Sequence, residues 1–210
     1  MMKKIIMPLL IGTSLLLSPK AKSQVDGSIE GIKSFEPKQS YMRPSTSYKL
    51  PLELEGFSFM EFYQDESYFG KTTLDKSIVG DLGVTGQAIH GSGFDDKYGI
   101  GLSQVISTSE KAFLKVHVYP LWIDSKGKSV KDGTTLGYFG SLKLPFDLEL
   151  SSFGDWKIGP KGLEWDYGEI SLEKKLTDKL SASYIPALKS KDKGGAIPRL
   201  EQRIGLKYQF

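Results

Sequence analysis

The chain has 210 residues, with 28 basic residues against 25 acidic ones and a formal net charge of +3. It holds no cysteine, which excludes a disulfide scaffold and a thiolate metal site. Glycine is abundant at 23 residues and alanine scarce at six, so helix formers are depleted and strand and turn chemistry is favoured.

The chain opens with Lys3 and Lys4, then a largely apolar run from Ile5 to Leu17, then Ala21-Lys22-Ser23. That order reads as a signal peptide over residues 1–23, since the apolar run is too short to span a bilayer as a helix. No cysteine follows it, so it is not a lipoprotein signal. Its removal takes Lys3, Lys4, Lys20 and Lys22 and leaves 187 residues with 24 basic against 25 acidic, a net charge of −1. Nothing in that balance points to a nucleic-acid partner. No apolar run long enough for a spanning helix follows. A membrane form of this chain would therefore be a β-barrel, the other structure that satisfies its own backbone in lipid.

Residues 24–51 hold Pro37 and Pro44 and show no sustained period, so they read as a flexible N-terminal segment, a tail or a plug. From Leu52 an alternation of apolar and polar residues begins. Leu52, Leu54, Met60 and Phe62 share one parity with Glu53, Glu55 and Glu61 on the other. A second strand runs from Tyr68 to Leu74, with a turn at Asp75-Lys76-Ser77. Val79 to His90 follows, then a loop at Gly91–Asp96. Tyr98, Ile100, Leu102 and Ile106 alternate with Gly99, Gly101, Ser103 and Val105. Leu114, Val116 and Val118 alternate with Lys115, His117 and Tyr119, before a long loop at Asp124–Gly133.

Leu136, Tyr138, Leu142 and Leu144 alternate with Thr135, Gly137, Ser141 and Lys143, and Pro145 marks a turn. Phe146, Leu148 and Leu150 lead the next strand, and Gly159–Gly162 forms a loop. The parity of Leu163, Trp165 and Tyr167 reverses at Ile170 and Leu172, which predicts a bulge at Gly168. Leu180, Ala182 and Tyr184 follow the turn at Lys175–Lys179, and Ser190–Pro198 reads as a loop. In the last strand Leu200, Ile204, Leu206, Tyr208 and Phe210 oppose Glu201, Arg203, Gly205, Lys207 and Gln209.

The count is about ten strands, within a range of 8–12, over residues 52–210. Short turns near Asp75, Ser107, Pro145 and Lys175 alternate with connections near Asp65, Gly91, Ser125, Gly159 and Lys191 that include every long one. That alternation is the signature of an all-β, antiparallel, up-and-down transmembrane barrel with periplasmic turns and external loops. No proline falls in the middle of a predicted span. Placing the apolar parity in lipid lines the interior with Glu61, Lys115, His117, Tyr119, Lys143, Asp147, Glu149, Glu164, Asp166, Glu201, Arg203 and Lys207. A dry core would charge several kcal/mol for each unpaired ion, whereas a wet lumen accepts them.

The terminal strand, through Ile204, Leu206, Tyr208 and Phe210, resembles the closing strand of bacterial outer-membrane β-barrels. The resemblance implies that these four residues form the assembly signal, with the barrel-assembly machinery and outer-membrane lipid as partners. It also implies export to the bacterial outer membrane. Phe57 to Tyr63 and Tyr98 to Leu102 are loosely similar to nucleoside-channel-type outer-membrane proteins, a longer family with more strands.

The expected function is a narrow channel or uptake protein for small polar solutes, with no cofactor and no metal. Lys115, His117, Tyr119, Asp147, Glu149, Arg203 and Lys207 would then set selectivity by charge. The first alternative is a closed structural or adhesive barrel acting through its external loops. The second is a rim hydrolase using His90, which lies near Asp95 and Asp96 as rim Asp and His do in ten-stranded barrel proteases. The paired acidic motifs of those proteases are absent.

Overall fold

The computed structural model describes residues 24–36, 38–130, 133–159, 162–191 and 195–210, with the backbone alone at 191 and 195–198. The first half of the twelve strands comprises β1 (Gln24–Ser34), β2 (Gln39–Leu50), β3 (Leu54–Tyr63), β4 (Tyr68–Val79), β5 (Leu82–Gly91) and β6 (Lys97–Thr108). The second comprises β7 (Ala112–Asp124), β8 (Thr134–Leu144), β9 (Leu148–Gly159), β10 (Gly162–Lys175), β11 (Leu180–Lys191) and β12 (Gly195–Gln209). Each strand pairs antiparallel with its sequence neighbours, and β1 pairs with β12 to close the barrel. Closure leaves no free strand edge.

The alternation sorts the side chains as expected for lipid outside and polarity inside. Ile29, Met42, Leu74, Ile100, Leu102 and Ile106 are exposed on the outer wall. Glu30, Glu61, Gln87, Ser103, Glu169 and Arg203 are buried within. This is the reverse of a water-soluble sandwich, and an outer wall of that kind is stable against acyl chains. Tyr138, Trp156 and Trp165 cluster on the same wall, with the two indoles edge to face at 4.9 Å.

The segment expected to be flexible, residues 24–51, is instead β1, β2 and the first residue of a 3-10 turn, Pro51–Glu53. The barrel therefore starts at Gln24, and its twelve strands sit at the upper end of the expected range. The period was hard to see because the outer parity of β1 holds Gly27, Gly31 and Lys33 beside Val25 and Ile29. Gly27 lacks a side chain for a reason: the Phe210 ring occupies the place of its Cβ. Residues 1–23, read as a signal peptide, lie outside the described residues.

Several boundaries move. β4 continues through the expected turn at Asp75 and ends at Val79. Asp75 faces inward and meets Lys115 at 3.1 Å, an ion pair that holds it in the wall. In the expected loops at Gly159–Gly162 and Ser190–Pro198 the described residues belong to strands, with Gly159 paired to Gly162 and Lys191 to Gly195, while 160–161 and 192–194 lie outside the described residues. The longest described connection joins β7 to β8, on the rim opposite Gln24 and Phe210.

Prolines also enter spans. Pro44 lies in β2 and Pro186 in β11, both within the ladder rather than at its ends. Pro120 sits at a bulge in β7, where Ile100 pairs with Leu121 but Leu102 pairs with Val118. The extra residue turns both Tyr119 and Trp122 inward, where they are 1% and 6% exposed. Gly101 is required opposite this bulge, because the Val118 carbonyl occupies the place of its Cβ. The bulge predicted at Gly168 is present two residues earlier, between Trp165 and Tyr167.

Candidate functional site: the barrel lumen

Alternation puts Arg43 of β2, Glu61 of β3, Glu169 of β10 and Glu201 and Arg203 of β12 on the inner wall. There they meet. Arg43 donates from Nε to Glu61 Oε1 at 2.9 Å and from Nη1 to Glu169 Oε2 at 2.9 Å. Its Nη2 reaches Glu61 and Glu169 at 2.5 and 2.7 Å. Arg203 donates from Nη1 to Glu169 Oε1 at 2.6 Å and from Nη2 to Glu201 Oε2 at 2.6 Å.

Tyrosines complete the cluster. The Tyr41 hydroxyl accepts from Arg203 at 2.9 Å and from Arg43 at 3.2 Å. Tyr63 donates to Glu61 and Tyr167 to Glu169. Lys189 adds a third cation, 3.2 Å from Glu201. Three cations thus face three carboxylates, so the cluster carries no net charge. Fork contacts of this kind rigidify a buried polar network, although Arg203 Nε is left without a hydrogen-bond partner.

Other pairs cross the interior. Lys71 of β4 donates to Asp155 of β9 at 2.8 Å, joining walls five strands apart in the shorter sense round the barrel. Lys115 of β7 reaches Asp75 of β4. His117 Nε2 lies 3.7 Å from the same carboxylate, and its ring stacks on Tyr119 at 6.0 Å between centroids. Tyr119 shares a hydrogen bond with Thr85 at 3.1 Å. Lys207 pairs with Glu173.

Of the residues expected to set selectivity, Lys115, His117, Tyr119, Arg203 and Lys207 line the lumen. Two do not take up that place. Asp147 lies in the turn between β8 and β9 with φ 56°, outside the strand pattern. Glu149 faces inward but sits exposed at the rim, opposite Lys143. Of the remaining expected lumen residues, Asp166 is the extra residue of the bulge and accepts from Lys157 at 3.1 Å, and Glu164 lies just before it, opposite Lys157.

Arg43, Glu169, Lys71 and Asp155 were not singled out from the sequence. Arg43 lay in the segment read as mobile. Glu169 had a signal, because the parity reversal that sends Ile170 and Leu172 outward turns their neighbour inward.

Of the four residues expected to form an assembly signal, Ile204, Leu206 and Tyr208 line the outer wall of β12 and Phe210 follows its last residue. Ile204, Leu206 and Tyr208 are about half exposed, and Phe210 packs on Gly27 while its amide donates to the Gly27 carbonyl at 3.1 Å. At the opposite rim His90 lies 3.2 Å from Asp96 and edge-on to Tyr98. Asp95 is drawn away to Lys126 at 3.0 Å, and that hydrogen bond raises the Lys126 ammonium above its usual range.

No family model matches the chain, and no curated protein matches it. Solved structures do. KdgM porin aligns with a TM-score of 0.58 at 12% identity, over 88% of this chain and 99% of its own. KdgM porin in complex with disordered oligogalacturonate aligns at 0.57 with the same identity and coverage. The fold is that of an outer-membrane porin. Salmonella typhi OmpF in complex with daunomycin aligns more loosely, at a TM-score of 0.43 and 8% identity over 90% of this chain and 97% of its own. The porin fold accounts for the apolar outer wall and for Gln24 and Phe210 lying at one rim. With twelve strands the barrel interior lies between eight-stranded barrels, which side chains fill, and sixteen-stranded ones with wide aqueous channels.

Proposed function

We propose that this protein is a narrow channel for small polar solutes in the bacterial outer membrane. The observation that carries the reading is an interior lined by charge pairs that cross from wall to wall, such as Lys71 with Asp155. Such groups are compatible with water and with passing polar solutes, and they would be costly in a dry core. The rim bearing Gln24 and Phe210 is then periplasmic, and the loop after β7 is external. Ile204, Leu206, Tyr208 and Phe210 present the outer face of the last strand to lipid and to the assembly machinery.

Lys115, His117, Tyr119, Arg203 and Lys207 tune selectivity only weakly in this reading. Each of these cations already faces a carboxylate, so the described residues offer no unopposed ring of one sign in the lumen. KdgM was solved with an oligogalacturonate, a polyanion. A polyanion entering this lumen would find Arg43 and Arg203 engaged by Glu61, Glu169 and Glu201.

Conductance in planar bilayers tests the proposal. Small, steady single-channel currents with weak ion selectivity are expected. Absence of current at every voltage would leave the second reading, a closed barrel acting through its external loops, which the same wall-to-wall pairs also favour.

A further inference from the structure

The half of the lumen nearer Gln24 and Phe210 differs in chemistry from the charged half. Cross-strand register makes one inner row of Phe113, Ser141, Ser151 and Ser171, on β7 to β10. The row above it is Lys115, Phe139, Phe153 and Glu169. Phe113 and Phe139 lie 6.0 Å apart between centroids. On β3, Phe57 pairs with Ser47 and Thr73 and lies 6.0 Å from Phe59.

These phenyl groups point inward, on the parity of Lys115 and Glu169, yet Phe57 is 46% and Phe139 42% exposed. Rings that merely filled the barrel would be covered. Here flat apolar faces remain open inside a lumen, beside serine and threonine hydroxyls, in a band where the nearest charges, Lys115 in the row of Phe139 and Asp75 one row from Phe57, are paired with each other.

Open aromatic faces beside neutral hydroxyls suit one class of small polar solute. A sugar ring has an apolar C–H face that stacks on an aromatic and an equatorial edge of hydroxyls that exchange hydrogen bonds with serine. An anion would gain nothing from phenyl rings, and an alkane would leave the hydroxyls unpaired.

We propose that the lower half of the lumen is a binding site for neutral saccharides, with Phe57 and Phe139 as stacking faces and Ser141 and Ser151 as hydrogen-bonding partners. The site rests on the reading of the barrel as a solute channel and names the class of solute.

Titration calorimetry of the full-length barrel in detergent with maltotriose tests it, and needs no conductance. Weak, saturable binding is expected. F139A and F57A should each weaken it about tenfold, while F139W retains it. Heat-modifiable gel migration shows that each variant is folded. No binding to the folded wild-type barrel would overturn the proposal, as would binding unchanged in both alanine variants. A trigalacturonate that binds more tightly than maltotriose would overturn it too. Saccharide binding without bilayer current would sink the channel and keep the site; current without saccharide binding would do the opposite.

Discussion

Arg203 Nη1 of β12 lies 2.6 Å from Glu169 Oε1 of β10, and both side chains are only 3% exposed. The pair reaches over the intervening β11 and ties together the wall on which the barrel closes. Breaking one partner of a buried pair leaves an uncompensated charge, which costs about 3–5 kcal/mol. Arg43 still holds Glu169, and Lys189 still holds Glu201, so R203A should fall near the lower end of that range. Urea unfolding in detergent should show a clear drop in midpoint. An unchanged midpoint would mean that the network is already hydrated and contributes little.

The Lys71–Asp155 pair spans the lumen rather than one wall. Removing it takes a bridge out of the solute path while leaving the strand ladders intact. K71A and D155A should each raise single-channel conductance, and the two should shift ion selectivity in opposite directions. Equal currents in both variants and the wild type would place the narrowest point elsewhere.

Phe210 covers Gly27 on the outer wall, where β12 meets β1. F210A loses this contact but keeps the ladder. We expect a marked fall in the amount of barrel recovered from outer membranes and a smaller fall in refolding yield in detergent. Equal losses in both assays would reduce Phe210 to a packing residue.

Gly101 faces the β7 bulge across the ladder, with the Val118 carbonyl where a Cβ would be. G101A must push that carbonyl away, and overpacking of this kind costs about 1–3 kcal/mol. The displaced bulge should also disturb Trp122 beside Gly99, so a shift in tryptophan emission should accompany the lowered unfolding temperature. Emission identical to wild type would argue against the coupling.

Much of the fold was legible in local pattern. The alternation from Leu52 onward marked ten of the twelve strands, and the parity reversal between Trp165 and Ile170 revealed a bulge within two residues of its place. β1 and β2 were not legible, because outward Gly27, Gly31 and Pro44 break the apolar parity. Those residues make sense only against partners distant in sequence: Gly27 is the seat of a ring at position 210. Asp147 was misplaced for a related reason, since a left-handed turn residue at φ 56° leaves the period of the strands it joins.

The sequence by itself determined which face each strand turns to lipid and which to the interior, because a period of two is a property of consecutive residues. It thereby also determined the class of barrel and the polarity of its lumen. Which charge meets which was decided only by closure. Arg43 finds Glu169, 126 positions away, because pairing β1 with β12 brings β2 and β10 to the same side of the lumen. The register of twelve ladders places the two at one height. No local pattern encodes that meeting, since it is the sum of every turn and bulge in between.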